Sequence, residues 1–181
     1  TSGNIVKAGT YWDGSAEQAG QGAATCWEIE ACPNAVLRGD SKDCLGYNIA
    51  LINGSHGAID YGNHLGSGGD PTAVSAWTDD CVFAGKYENG TVGVSIGEDG
   101  LQSNGVLVCG KIINASDVPV RVTSALQTKI IGATITGEPT SPVNGSWSGG
   151  GKLRPIVKAL KELYGAQDIT LSGNVYQGAF T

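Results

Sequence analysis

Short runs of alternating apolar and polar residues recur along the chain and predict β-strands. The clearest run places Val92, Val94 and Ile96 on one side, with small or polar residues between them. An Asn-Gly pair at 89–90 precedes this run and follows a second apolar run. Because Asn and Gly both accept positive φ, Asn-Gly pairs favour the tight turns of antiparallel hairpins. The sequence therefore predicts a hairpin over 82–96.

Similar runs predict strands in seven further segments of the chain. They cover 4–12, 25–30, 47–52, 105–114, 118–123, 129–136 and 168–176. The run over 105–114 is almost continuously apolar, which indicates a strand buried on both faces. Pro119 cannot donate a hydrogen bond to a ladder, so its strand is predicted at the edge of a sheet. Three more Asn-Gly pairs, at 53–54, 104–105 and 144–145, predict further turns.

One segment near the C-terminus has the periodicity of an amphipathic helix. Its apolar positions, with a spacing of about 3.6 residues, are Leu153, Ile156, Val157, Leu160 and Tyr164. Pro155 suits a first helical turn, and Gly165 suits a C-terminal cap. A Gly-, Pro- and Ser-rich segment over 137–152 comes before the helix and predicts a linker or long loop. The strand over 168–176 either completes the chain's own sheet or adds to the sheet of a neighbouring chain.

These elements together predict a mainly β fold of the α+β class. We expect an antiparallel sandwich or roll, with one C-terminal amphipathic helix packed on it and a terminal strand. The predicted division is a disulfide-containing β-rich domain over 1–136, the linker over 137–152, and the helix with the terminal strand over 153–181.

The composition indicates a protein that works outside the cell. Charged residues make up 15% of the chain, below the about 25% usual for soluble domains, so uncharged polar side chains must cover much of the surface. The formal charge of −6 argues against nucleic-acid and anionic-membrane partners, and no apolar run predicts membrane insertion. The chain has no Met and no basic-apolar leader. We therefore expect a processed, mature protein that is secreted or held at the cell surface. The alternative is that an initiator Met was trimmed before Thr1 and that Met is otherwise absent by chance.

The cysteines and sequons are consistent with that setting. The cysteines are Cys26, Cys32, Cys44, Cys81 and Cys109. Four of them can form two disulfides, whose pairing the sequence leaves open, and the fifth is free or pairs between chains. Their spacing is too wide for the close cysteine pairs of zinc sites. Asn-x-Ser/Thr sequons occur at Asn53, Asn89, Asn114 and Asn144, either as glycosylation sites or by chance, and both interpretations predict that they are exposed.

If the chain is an enzyme, segment 55–70 is the predicted site of its catalytic groups. The segment contains both histidines, His56 and His64, together with Asp60 and Ser67. A histidine acts as a general base near neutral pH, an aspartate orients it, and a serine such as Ser67 or Ser55 is the nucleophile of a hydrolase. The two histidines with Asp60 are also candidate zinc or iron ligands. The alternative is a Gly-rich surface loop with solvated histidines.

Loop carboxylates and one tryptophan are the remaining candidate ligand groups. The carboxylates that could bind calcium are Asp79, Asp80, Glu98 and Asp99. They lack the spacing of an EF-hand and are also typical of solvated turns, and we expect no other cofactor. Trp147 lies in the polar linker and is the best candidate for an exposed ring that stacks on a sugar, whereas Trp27 is expected in the core.

Two cysteine-containing segments resemble parts of known secreted proteins. Segment 41–45 reads Ser-Lys-Asp-Cys-Leu and segment 77–84 reads Trp-Thr-Asp-Asp-Cys-Val-Phe-Ala. Both resemble cysteine motifs of small fungal secreted effectors and killer toxins. The chain lacks the full cysteine complement of those proteins, and its part from Gly137 onward has no counterpart in them, so no family is assigned.

Three functions are compatible with these features. The first is a non-enzymatic extracellular protein that recognises a cell-surface glycan or protein, as adhesins, effectors and toxins do. The second is a structural subunit of an extracellular filament, pilus or coat, in which copies of the chain exchange their C-terminal strands. The third is a secreted hydrolase that uses segment 55–70. The low charge and the small number of titratable groups favour the first function.

Overall fold

Parallel β-strands wound into a solenoid make up the structure. The computed structural model describes residues 6–13, 25–44, 46–67, 71–97, 101–123, 125–137, 157–159 and 170–177. Within these ranges every regular element is a strand, and the paired strands run parallel in about four stacked turns. The predicted antiparallel sandwich or roll is therefore wrong. The described residues contain no helix with the length and apolar character of a membrane span.

The strands stack in three columns, which we call the first, second and third faces. The first face contains β5 (Ile59–Asp60), β8 (Val82–Phe83), β11 (Leu107–Val108), β14 (Lys129–Ile131) and β17 (Thr170–Ser172). The second contains β6 (Asn63–Ser67), β9 (Lys86–Glu88), β12 (Lys111–Ile113), β15 (Thr134–Thr136) and β18 (Val175–Gln177). The third contains β2 (Trp27–Glu30), β4 (Ile49–Ile52), β7 (Ala73–Ala76), β10 (Val92–Ile96), β13 (Val118–Val122) and β16 (Val157–Ala159). At one end, β3 (Val36–Cys44) runs through the first and second faces and pairs with β1 (Val6–Asp13).

Successive turns place residues about 23 positions apart next to each other. Ser41 pairs with His64, for example, at a separation of 23 residues. Because alternate side chains of a strand point to the same side, equivalent inward positions of successive turns form rows along the solenoid. Phe83, Val108 and Ile130 form one such row on the first face, and all three are fully buried. The hydrophobic core therefore runs lengthwise between the faces.

Glycines occupy the corner between the first and second faces. In four successive turns this corner contains Gly39, Gly62, Gly85 and Gly110, and a Cβ on any of the last three would overlap the carbonyl oxygen of the glycine one turn before it. The close approach lets Lys86 N–H donate to the Gly62 carbonyl at 2.9 Å. Only a residue without a side chain allows the backbones to stack this closely at the corner.

The predicted hairpin over 82–96 is wrong, although Asn89 does adopt positive φ. The strands on either side of the Asn-Gly pair, β9 and β10, belong to different faces. β9 pairs with β6 and β12, and β10 pairs with β7 and β13. Asn53, Asn89 and Asn114 have φ of 49°, 59° and 52° and lie at corners of the solenoid. Asparagine tolerates this left-handed conformation, and the same tolerance serves a corner between parallel strands as well as a hairpin turn.

The predicted C-terminal helix is also contradicted. Within the segment 153–165, the described residues Val157–Ala159 form β16, which pairs in parallel with β13. An apolar residue at Val157 followed by Lys158 fits the two-residue alternation of a strand as well as the helical period. β17 and β18 pair with β14 and β15 of the same chain. Residues 138–152 of the predicted linker lie outside the described residues.

Two predictions about individual strands need correction. β13, which contains Pro119, lies between β10 and β16 and is not an edge strand. Pro119 itself is paired with a residue of neither neighbour, so the sheet tolerates its missing N–H. The run over 105–114 is not one strand buried on both faces. It bends at Gly110 into β11 and β12, and Lys111 is exposed.

Candidate functional site

An open groove of about 630 Å³ lies at the corner where the third face passes into the first. Its principal lining side chains are Asn53, His56, Trp77, Asp79, Gln102 and Asn104. They come from three consecutive turns, which backbone hydrogen bonds hold together: Gly54 N–H donates to the Trp77 carbonyl at 2.9 Å, and Asp80 N–H donates to the Asn104 carbonyl at 2.8 Å. The groove therefore crosses the turns and runs along the solenoid.

A ladder of side-chain hydrogen bonds fixes the polar groups of the groove. In each turn a side chain accepts from the backbone N–H of the following turn. Asp79 N–H donates to His56 Nδ1 at 3.0 Å, and Asn104 N–H donates to Asp79 Oδ1 at 3.0 Å. Leu126 N–H donates to Asn104 Oδ1 at 3.1 Å. These side chains are held in place before any ligand binds, which lowers the entropy cost of recognition.

Trp77 is the most unusual residue of the groove. Its φ is 56°, a left-handed conformation that is rare for a bulky side chain and costs about 1–2 kcal/mol. The residue is 64% exposed, so packing in the core does not compensate for this cost. Trp77 occupies the corner position that Asn53 has one turn earlier, where φ is 49°, so the turn itself requires the left-handed φ. A bulky, exposed aromatic ring at a position that favours asparagine is a candidate binding group.

The structure separates the two histidines predicted as catalytic groups. His56 lies in the groove with a side chain that is 56% exposed, and its Nδ1 is 3.7 Å from Asp79 Oδ2. His64 is buried inside the solenoid next to Asp60. Ser67 belongs to β6, where it pairs with Cys44, and Ser55 donates to the Ile29 carbonyl at 2.7 Å. The structure therefore brings His64 together with Asp60 but places His56 apart from both, beside Asp79.

Asp60 and His64 instead belong to a buried network with two residues from other turns. His64 Nε2 lies 3.0 Å from Asp60 Oδ2, and Tyr87 O–H donates to the same oxygen at 2.7 Å. On the other side of the ring, His64 Nδ1 lies 2.6 Å from Ser41 Oγ. Ser41 O–H donates to Asn48 Oδ1 at 3.0 Å. Each of these side chains therefore has a hydrogen-bond partner within the network.

The network keeps Asp60 ionised despite complete burial. Burial by itself raises the pKa of this carboxyl, but the charge of His64 and hydrogen bonds from His64, Tyr87 and the Gly62 N–H outweigh it and hold the pKa below its ordinary value. Burial, with a further contribution from Asp60, raises the pKa of Tyr87 well above its ordinary value. The phenol therefore stays protonated and continues to donate.

The network resembles a Ser-His-Asp arrangement but is not placed for catalysis. Ser41, His64 and Asp60 are each at most 1% exposed. Ser41 Oγ lies within hydrogen-bond distance of both His64 Nδ1 and Asn48 Oδ1, but burial closes the hydroxyl and the ring to a substrate. The arrangement is suited to stabilising the first turns, because a buried charge needs this many partners.

The five cysteines form one disulfide, and three are free. Cys26 and Cys44 are bonded, with their Cα atoms 5.9 Å apart, and both are buried. Cys32, Cys81 and Cys109 are free thiols. Cys81 lies in the core, where burial raises the pKa of its thiol, and the same cause raises the pKa of the half-buried Cys109.

The predicted glycosylation and calcium residues have varied surroundings. Asn53, Asn89 and Asn114 are exposed, and Asn53 Nδ2 donates to Glu30 Oε1 at 2.7 Å. Asn144, Glu98 and Asp99 lie outside the described residues. Asp79 is engaged in the groove ladder, and the side chain of Asp80 covers Gly105. No three His, Cys, Asp or Glu side chains among the described residues form a metal-binding group.

Sequence reasoning missed the residue that marks the groove. Trp147, the predicted sugar-stacking residue, lies outside the described residues, whereas Trp77 is an exposed tryptophan among the side chains that the structure describes. The polar neighbours of Trp77, in the sequence Ala-Trp-Thr-Asp-Asp, were the available signal for a turn. Comparison of the chain with protein-family models, with curated proteins and with solved structures finds no match.

Proposed function

We propose that this chain is a non-enzymatic protein, secreted or held at the cell surface, that recognises a glycan in the groove at Trp77. The observation that carries the proposal is the exposed indole of Trp77 on a strained backbone. A flat apolar ring with a polar N–H suits the face of a sugar ring, which has both C–H and hydroxyl groups. Amide and imidazole side chains beside it, from Asn53, His56 and Gln102, supply donors and acceptors for hydroxyls.

The other two functions have weaker support. A hydrolase needs a nucleophile and a base that a substrate can reach, and the Ser41–His64–Asp60 network is buried. A strand-exchange filament needs an unpaired C-terminal strand, and β17 and β18 pair within the chain. The Cys26–Cys44 disulfide supports an oxidising environment and hence an extracellular location.

A glycan array followed by calorimetric titration of the best ligands tests the proposal. We expect Trp77→Ala to weaken binding by at least about tenfold, the equivalent of about 1.4 kcal/mol, because the stacking surface is lost. Tyr61→Ala is the matched control: Tyr61 is also an exposed aromatic, at 44%, but lies outside the groove beneath the Arg38 guanidinium. It should bind like the parent protein.

Thermal melts of both variants establish that each is folded before binding is compared. The proposal is wrong if the parent protein binds no glycan on the array. It is also wrong if Trp77→Ala and Tyr61→Ala bind as tightly as the parent, since the groove would then not be the site.

A further inference from the structure

The direction of the groove constrains the shape of its ligand. The groove crosses three hydrogen-bonded turns, with Asn53 and His56 in the first, Trp77 and Asp79 in the second, and Gln102 in the third. Hydrogen-bonded strands of neighbouring turns lie about 4.8 Å apart, so equivalent positions repeat at that interval along the solenoid. A ligand that uses all three turns must be elongated and must lie along the solenoid axis.

The charge of the groove constrains the chemistry of the ligand. Its only carboxylate among the described lining residues, Asp79, accepts from Asn104 N–H and lies beside His56, and Lys and Arg are absent from that lining. The protein as a whole has a formal charge of −6. An acidic sugar would find no cation to pair with and would be repelled by the net charge.

The histidine of the groove supplies a hydrogen-bond donor. Because His56 Nδ1 accepts the Asp79 N–H, the neutral ring carries its proton on Nε2. The side chain is 56% exposed, so this N–H is accessible to a ligand hydroxyl. Together with the amides of Asn53 and Gln102 on either side, it provides uncharged polar contacts on both sides of the stacking ring.

We propose that the ligand is an uncharged, linear oligosaccharide that runs along the solenoid axis, with one sugar stacked on Trp77 and adjoining sugars contacting the turns of Asn53 and Gln102. This inference rests on the proposed function and adds to it the charge, the direction and the minimum length of the ligand. Gln102, one turn away from Trp77, is then a specificity residue that only an extended ligand reaches.

A length series tests the inference. Neutral gluco-, xylo- and manno-oligosaccharides, from the monosaccharide to the pentasaccharide, are titrated beside oligogalacturonides of equal length. We expect affinity for one neutral series to rise at least about tenfold from the monosaccharide to the trisaccharide and then to level off, with weaker binding of the acidic series. Gln102→Ala should lower affinity for the trisaccharide severalfold and leave affinity for the monosaccharide unchanged.

The outcomes separate this inference from the proposed function. Binding of the monosaccharide as tightly as the trisaccharide, or a preference for oligogalacturonides, overturns the inference while glycan recognition stands. An equal loss of monosaccharide and trisaccharide affinity in Gln102→Ala also overturns it, because Gln102 would then support the groove as a whole. Failure of every sugar to bind, with the parent protein folded, overturns the proposed function itself.

Discussion

Replacement of Gly85 by alanine tests the close stacking of the turns. The added Cβ would overlap the Gly62 carbonyl oxygen and come within 3.1 Å of Asp60 Oδ2. Since the nearest obstacle is backbone and not the end of a flexible side chain, the two turns must separate at this corner. Such overpacking costs about 3 kcal/mol, at the upper end of the usual range. Separation also breaks the 2.9 Å hydrogen bond from Lys86 N–H to Gly62, a further loss of about 1 kcal/mol.

We therefore expect Gly85→Ala to lower the free energy of unfolding by about 4 kcal/mol. Urea unfolding, followed by tryptophan fluorescence and circular dichroism, measures this change. Gly132→Ala is the control: no atom lies within 4 Å of its added Cβ, and its φ of 69° carries only the backbone strain of about 1–2 kcal/mol. If Gly85→Ala costs no more than Gly132→Ala, the turns do not stack as closely as described and the argument for the glycine corner is refuted.

Three further predictions follow from the buried network, the groove and the disulfide. The pKa of Asp60 is lower in the folded protein than the ordinary value of about 3.9, so its contribution to stability is complete above about pH 4 and is lost as the pH falls through the lowered value. Urea unfolding across this range should show a fall in the free energy of unfolding that is smaller in Asp60→Asn. An equal fall in both proteins would contradict the role given to Asp60. Trp77→Asn should change the free energy of unfolding by less than about 1 kcal/mol. Asparagine adopts the left-handed conformation with less strain, which offsets the loss of the buried part of the ring. A decrease of about 3 kcal/mol or more in the same assay would mark Trp77 as a core residue. Replacing Cys26 and Cys44 together by serine should lower the free energy of unfolding by about 3 kcal/mol, because their disulfide closes a loop with a sequence separation of 18. An unchanged denaturation midpoint would show that the disulfide does not form.

Many strand positions were predictable, although no strand was predicted where β3, β5, β6 and β7 lie. The pairing of the strands was not predictable. Alternation predicted strands near β2, β4, β10 and β13, because the two-residue period of a strand depends only on which side is buried. The same alternation occurs in parallel and antiparallel sheets that have one buried face. The Asn-Gly pair at 89–90 predicted positive φ but not whether the chain reverses or turns a corner.

A repeat in the sequence contained the missing information. Segments 35–39, 58–62 and 81–85 read Ala-Val-Leu-Arg-Gly, Ala-Ile-Asp-Tyr-Gly and Cys-Val-Phe-Ala-Gly. Each has a small residue first and a glycine last, and the interval is that of the solenoid turns. Comparison of the chain with itself at fixed spacing would have indicated stacked turns. The repeat is weak because inward positions accept any side chain that fills the core, from Phe83 to Asp60.

The candidate site was only partly accessible from sequence. The residue types of the groove, histidine, aspartate and tryptophan, were recognised as chemically capable, and His56 and Asp79 were singled out. The structure does not bring the two histidines together, because His56 and His64 are close in sequence but lie at different positions around the turn. His64 does lie beside Asp60, but its second partner is Ser41, one turn earlier.

The sequence by itself determined that the chain is rich in short strands, that its corners need glycine and asparagine, and that its surface carries few charges. These are local properties, set by backbone sterics and by the side chains at each position. The tertiary structure decided that the strands pair in parallel, that Asp60 is buried with partners from other turns, and that Trp77 is exposed between turns. Each of these depends on contacts between residues one turn apart, and only the stacking of the turns brings those residues together.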